Sequence, residues 1–183
     1  MIILIDGTFG IGKTTIAYNL KDKLGDSAEV LDSDYYYNYK YINDWSIMYN
    51  SEFKIGTFPQ NDNNFIKEFK NSIEEKAIKN DKKLIVTMAL IQRNCKEILF
   101  DCLKKEQKDM IHIILTAEEN NIKERIEKDK NKIRDERNSV ECLKSNIDFL
   151  EKNYPNDIWI KTDNRDIDSI VDEIIKIIES KEN

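Results

Sequence analysis

Glycine is scarce in this 183-residue chain, five in all, and three of them (Gly7, Gly10 and Gly12) fall in one short stretch near the N-terminus. Proline is scarcer still, with two, and no Pro-, Ser- or Gly-rich stretch marks a linker, so residues 1–183 read as one domain. Cysteine occurs three times, as Cys95, Cys102 and Cys142, an odd number without a Cys-x-x-Cys pair. That supports neither a disulfide framework nor a zinc site. Cys95 and Cys102 stand at the spacing of one helix face, which fits buried free thiols. Histidine occurs once, as His112, at the start of an apolar run and with no partner evident, so a structural role is expected of it. Basic charge is not in excess: the net charge is −6 and the pI is near 5.0, unlike the basic footprint of a nucleic-acid binder. The apolar run Met1 to Ile5 stops at Asp6, too short for a signal peptide or a membrane span. A cytoplasmic protein with no nucleic-acid or membrane partner is expected.

What is present is an alternation of short apolar runs and amphipathic stretches. Forty per cent of the residues are apolar, enough for a core in a chain of a size that buries roughly 70% of its unfolded surface. Apolar runs at Ile2 to Asp6, Ala28 to Leu31, Leu84 to Leu90, Met110 to Leu115 and Asp157 to Lys161 read as strands. Between them, apolar residues recur at three and four, as in Ile16, Ala17, Leu20 and Leu24, or Phe65, Ile66, Phe69 and Ile73. Helices are expected there, over Val140 to Leu150, and over the closing stretch from Ile167 to Ile178. Strands alternating with helices imply an α/β fold with a parallel sheet covered on both faces.

The glycine cluster carries the strongest chemical signal. Gly7-Thr8-Phe9-Gly10-Ile11-Gly12-Lys13-Thr14 fits G-x-x-x-x-G-K-[ST], and it stands where it should, after one strand and before one helix. A backbone that wraps a phosphate must turn its N–H groups inward, and glycine permits the dihedrals. The helix N-terminus adds partial positive charge. Lys13 then reaches the β- and γ-phosphates and the Thr14 hydroxyl ligates Mg²⁺. Phe9, Ile11 and Thr15 complete the nucleotide-contacting stretch. By composition alone the pattern arises by chance in such a chain at under about one in a hundred.

Asp32-Ser33-Asp34 closes the second strand, and ligands of open α/β sheets sit at the carboxyl ends of strands. One carboxylate, Asp32, is the candidate for Mg²⁺, and Asp34 (or Asp32) for accepting a proton from an attacking hydroxyl. The alternative is a capped turn. The strand Leu84 to Leu90 ends without the acid that many P-loop ATPases carry there, which counts against motor and switch ATPases.

Of 29 basic residues only five are arginine: Arg93, Arg125, Arg134, Arg137 and Arg165. The planar guanidinium binds phosphate bidentately. Arg125 follows the fourth strand, and Arg134 and Arg137 lie in a charged stretch, about 127–140, where a lid over ATP is expected; a solvated helical surface is the alternative. Arg125 and Arg134 are candidates for transition-state charge neutralisation, and Arg93 and Arg137 for substrate contact. Thr162, Asp163 and Asn164 follow the last strand and read either as a loop against the adenine or as the cap of the final helix. Six of the eight tyrosines fall between Tyr35 and Tyr49, with Trp45. Tyr37, Tyr41, Trp45 and Tyr49 recur every four, which fits a packed helix face, a homodimer surface, or an acceptor pocket with Tyr37 in it.

These landmarks together resemble the ATP-binding tunicamycin-resistance proteins, relatives of shikimate kinase and chloramphenicol phosphotransferase. The resemblance runs over nearly the whole chain. It rests on Met1-Ile2-Ile3 with Asp6 to Thr14, Leu84 to Leu90, Leu115-Thr116-Ala117, Lys123-Glu124-Arg125 and Lys161 to Asn164. It implies a three-layer P-loop NTPase fold with a five-stranded parallel sheet in the order 2-3-1-4-5 and a lid after strand 4. It also implies ATP- and Mg²⁺-dependent phosphorylation of a small hydroxylated molecule. Asp32-Ser33-Asp34 is similar to the acidic pair of shikimate kinases, but the Gly-Gly-Gly turn expected after the third strand is missing. Three functions follow: a small-molecule kinase, acting for instance on an antibiotic or nucleoside-like compound; a nucleoside or nucleotide kinase; and an ATP-binding resistance or regulatory module that holds its ligand without phosphorylating it.

Overall fold

A computed structural model describes residues 1–37, 59–79, 81–106, 109–128 and 140–182. Its strands are β1 (Ile2–Asp6), β2 (Ala28–Asp32), β3 (Lys83–Thr87), β4 (Met110–Thr116) and β5 (Ile158–Lys161). They form one sheet in the order β2-β3-β1-β4-β5, and every neighbouring pair is parallel. The sheet order implied by the resemblance is therefore the one observed. Helices cover both faces: α1 (Lys13–Leu24), the single turn α2 (Ser33–Tyr36), α3 (Asn63–Lys79), α5 (Glu119–Lys128), α6 (Leu143–Asn153) and α7 (Ile167–Glu182). Between α3 and α5 runs α4, a helical stretch built from Arg93–Cys95, a π-helical segment Lys96–Phe100 and Asp101–Glu106.

The uninterrupted apolar character of the strands follows from this layering. Neighbouring residues of one strand serve opposite faces, so both must be apolar. In β1, Leu4 joins a cluster with Phe65, Phe69, Leu99 and Tyr154, whereas Ile3 and Ile5 join a second cluster with Ile16, Leu20 and Ile174. Parallel pairing also sends every strand's carboxyl end to one edge. Gly7 leaves β1 there, Asp32 and Thr87 end β2 and β3, and Thr162 leaves β5.

Several elements differ from the sequence expectation, each for a physical reason. The strand expected to reach Leu90 ends at Thr87, because β2 offers no partner beyond Asp32, which stands opposite Thr87. Met88, Ala89 and Leu90 stay buried without being strand, a distinction that apolar character alone does not make. Within α4 the π segment adds residues to a turn and rotates the face that follows, so Cys95 is buried and Cys102 only partly so. The helix expected over Val140 to Leu150 is interrupted by a turn at Cys142 and runs on beyond Leu150, as Leu143–Asn153. His112 is not without a partner: it lies between Asp6 and Asp157. Residues 129–139, with Arg134, Arg137 and most of the expected lid, lie outside the described residues, as do Tyr39, Tyr41, Trp45 and Tyr49. Among the described residues no helix is long and apolar enough to cross a membrane.

The Phe65 ring is fully buried, stacked on Phe69 at 5.5 Å and edge-on to Tyr37 at 4.9 Å. Phe65→Ala should cost about 3–5 kcal/mol, read as a lowered urea midpoint at unchanged slope.

Candidate functional site

The cradle forms because the loop between β1 and α1 can take conformations open to few side chains. Gly10 (φ +75°) is pressed against α5: a Cβ there would lie 2.5 Å from Ile126 Cγ1. Its missing side chain is what lets the helix carrying Arg125 close against the loop. Gly12 (φ +101°) is the N-cap of α1, and nothing among the described residues lies within 4 Å of where its Cβ would stand. Gly12 and the first turn of α1, Lys13 to Thr15, border a cavity, as an anion site at a helix N-terminus requires. Ile11 anchors the loop from below, buried in the second apolar cluster. Lys13 folds back over the loop, where Nζ donates to the carbonyls of Gly7 (3.0 Å) and Thr8 (2.9 Å) and lies 5.9 Å from the centre of the Phe9 ring.

Beside the cradle, the end of β2 delivers Asp32. Its Oδ2 accepts the hydroxyls of both Thr14 and Thr87, each at 2.8 Å, and its Oδ1 accepts the Tyr35 N–H at 2.9 Å. The capped turn and the site residue are thus the same carboxylate, with one oxygen for each duty. Thr87 escaped the sequence reading. It is the one polar residue in the run from Leu84 to Leu90, but only the β2–β3 register places it opposite Asp32. Thr14 and Asp32 offer one hydroxyl and one carboxylate, hard oxygen donors that suit Mg²⁺ shared with phosphate oxygens.

Cradle and acidic pair border a single cavity of about 470 Å³, with Thr15, Asp34, Gln60 and Arg125 also in its wall. That volume is within the usual range for small-molecule sites. Gln60 is 1% exposed, and its Oε1 finds no hydrogen-bond partner among the described residues. Its main-chain carbonyl is held by Asn94 Nδ2 at 2.8 Å, which fixes the residue at the start of α4. Nothing in the run Pro59-Gln60-Asn61-Asp62 signals this placement.

The remaining candidates divide. Arg125 lies in the cavity wall with its guanidinium aligned on Thr162, donating to Oγ1 at 2.9 Å and to the carbonyl at 3.1 Å. Asp163 turns away from the cavity: it accepts the Glu118 N–H at 2.9 Å and Asn121 Nδ2 at 2.6 Å, tying the β5 exit to the start of α5. Burial works against its charge, but these donors, with Lys161 and Arg125, outweigh it and hold the carboxyl below the usual range. Asn164 makes the left-handed turn that follows (φ 53°). Neither Asp163 nor Asn164 borders the cavity, whereas Thr162 reaches it through Arg125. Arg93 is exposed beside Glu97 and Tyr37 is buried among the aromatics of α3, so neither expected substrate contact is part of the cavity wall.

A glycine-lined cradle opening a helix after the first strand of a 2-3-1-4-5 sheet defines a P-loop nucleotide-binding protein. The chain belongs to the AAA domain family, whose profile matches residues 3–146. Comparison with curated protein sequences finds no match. Among solved structures, the fold is similar to the tunicamycin resistance protein of Deinococcus radiodurans, with 19% identity, 97% of this chain and 94% of that chain covered, and a TM-score of 0.68. Shikimate kinase from Acinetobacter baumannii is as near, with 19% identity, coverage of 98% and 93%, and a TM-score of 0.67. Deoxyadenosine kinase from M. mycoides gives 15% identity, coverage of 98% and 100%, and a TM-score of 0.61. At such identities the likeness is one of fold.

Gly10→Ala should destabilise the protein by about 2–4 kcal/mol, from backbone strain plus the clash with Ile126. It should also weaken nucleotide binding. Ile126→Ala in the same chain should recover part of both losses in a double-mutant cycle.

Proposed function

We propose that this protein is an ATP-dependent kinase that phosphorylates a hydroxyl group of a small molecule. The observation that carries the reading is the shared cavity: the cradle, Asp32 with its two hydroxyl partners, and the Asp34 and Gln60 side border one space. Donor and acceptor would meet there without crossing a protein wall.

The residues divide the work accordingly. The cradle N–H groups and Lys13 hold the β- and γ-phosphates, and moving Lys13 Nζ from the carbonyls of Gly7 and Thr8 onto phosphate oxygens exchanges neutral acceptors for charged ones. Thr14 and Asp32 would hold Mg²⁺, which when bound offsets the phosphate charge. With Asp32 assigned to the metal, the proton of the acceptor hydroxyl would pass to Asp34, which borders the same cavity. As that oxygen bonds to the γ-phosphorus, the bond to the β–γ bridging oxygen breaks and ADP leaves. Arg125, in the cavity wall, would neutralise the developing charge, a role the sequence also suggests for Arg134 and Arg137. Gln60 Oε1, buried without a partner among the described residues, favours an acceptor that brings a second hydroxyl or an N–H to it. Nucleoside-like antibiotics, sugars and nucleosides all meet that requirement. A cytoplasmic location, with ATP at hand, goes with this reading.

Incubation with γ-labelled ATP, Mg²⁺ and a panel including tunicamycin, shikimate, deoxyadenosine and simple sugars should yield one labelled product, and Lys13→Ala should yield none. Binding of a panel compound without label would replace the kinase with a sequestering module. Asp34→Asn should lower kcat by about 10²–10⁴ with Mg·ATP affinity kept, whereas Asp32→Asn should weaken Mg·ATP itself. Gln60→Leu should raise the acceptor KM about tenfold with the ATP KM unchanged.

A further inference from the structure

Beneath the cradle lies a set of buried charges that the proposed reaction does not use. Asp6, the last residue of β1, is fully buried. Its Oδ1 accepts two main-chain N–H groups, that of Gly7 at 2.6 Å and that of Leu90 at 2.9 Å. The first cradle residue and the chain leaving β3 are thus tied to one oxygen. Its Oδ2 lies 3.2 Å from His112 Nε2. On the far side of the ring, His112 Nδ1 stands 3.5 Å from Asp157 Oδ2. Phe100 and Tyr154 flank the imidazole at 4.7 and 5.0 Å between centres, and Phe100 is placed there by the π segment of α4.

We infer that His112 is a positioning residue for the phosphate cradle: its positive charge, held between Asp6 and Asp157, fixes the Asp6 carboxylate as acceptor of the Gly7 N–H and offsets its negative charge behind the bound phosphates. Nucleotide binding and protonation of His112 are then linked. Without the imidazolium beside it, the Asp6 carboxylate would repel the phosphates and would be less firmly fixed beneath the Gly7 N–H. The inference rests on the cradle binding nucleotide, not on the identity of the acceptor.

The groups facing His112 are Asp6 from β1 and Asp157 from the turn before β5. Tyr154, after α6, is kept neutral by burial, its hydroxyl directed to the Leu90 carbonyl at 3.3 Å. Beyond them, Lys104 of α4 stands 3.6 Å from Asp157 and near the Phe100 ring, with Asp101 and Cys95 further off. Burial disfavours the imidazolium, but Asp157 and Asp6 outweigh it and hold His112 above its ordinary value. For Asp157, burial is outweighed by His112 and Lys104, which hold its carboxyl below the usual range. The sign follows. The stabilisation from His112 is complete below its unfolded value of about 6.5 and is lost as pH rises through the higher folded value.

His112 is the chain's one histidine, so its ring signals can be followed by NMR without assignment. Titration of the wild-type protein, free and with saturating Mg·ADP, should give a midpoint above that of a free imidazole, moving further up in the complex. Calorimetry over the same pH range should show Mg·ADP affinity falling about fivefold as the ring deprotonates. His112→Gln should flatten that profile. Should that variant not fold, Asp157→Asn, remote from the phosphates, should lower the midpoint and shift the affinity profile down with it. A midpoint identical in free and bound protein, or an unchanged profile in either variant, would overturn the linkage while leaving the nucleotide site intact. Failure of the wild-type protein to bind Mg·ADP at any pH would overturn the cradle reading and this inference together. A purely structural ion network would alter stability with pH but not the nucleotide-dependent midpoint.

Discussion

The parallel ladders on either side of β1 carry the rest of the structure. They align the ends of β1, β2 and β3 so that Gly7, Asp32 and Thr87 emerge at one edge, and Asp32 meets Thr87 because those two residues are partners in register. Hydroxyls from α1 and β3 then converge on one carboxylate oxygen at the end of β2. A slip of one residue in the β2–β3 pairing would send Asp32 to the other face of the sheet. The cradle, the candidate metal ligands and the acceptor side of the cavity would no longer face one space.

The same ladders bring Asp6 and His112 together from β1 and β4, strands more than a hundred residues apart in sequence, and place Asp157 on the turn entering the next strand. The sheet therefore serves as the frame of the candidate phosphate site on its edge and as the housing of a buried charge network just below. Asp6 belongs to both, through the Gly7 N–H on one side and the imidazole on the other.

Local patterns were legible in the sequence, and distant pairings were not. Gly7 to Thr14 declared the cradle because phosphate wrapping demands particular residue types at adjacent positions. The apolar runs declared the strands because both faces of a parallel sheet are covered. Thr87, Gln60, His112 and Asp157 were illegible as site or network residues, since each owes its role to a residue 34 to more than 100 positions away. The end of β3 was overread because Met88 to Leu90 are as buried as a strand but have no ladder to join. Arg93 and Tyr37 were placed near the ligand by chain position alone; the exposure of one and the aromatic packing of the other follow from helix phase, which their segments leave unspecified.

The central claim is that Thr14 and Asp32 hold the metal of a bound nucleotide whose terminal phosphate faces Asp34 across the shared cavity. A crystal structure with Mn²⁺ and a non-hydrolysable ATP analogue, phased on the manganese signal, tests it most directly. The account predicts manganese about 2.2 Å from Thr14 Oγ1, next to Asp32, with the terminal phosphate directed toward Asp34 and Gln60. Manganese away from that pair, or a terminal phosphate turned from Asp34, would contradict it.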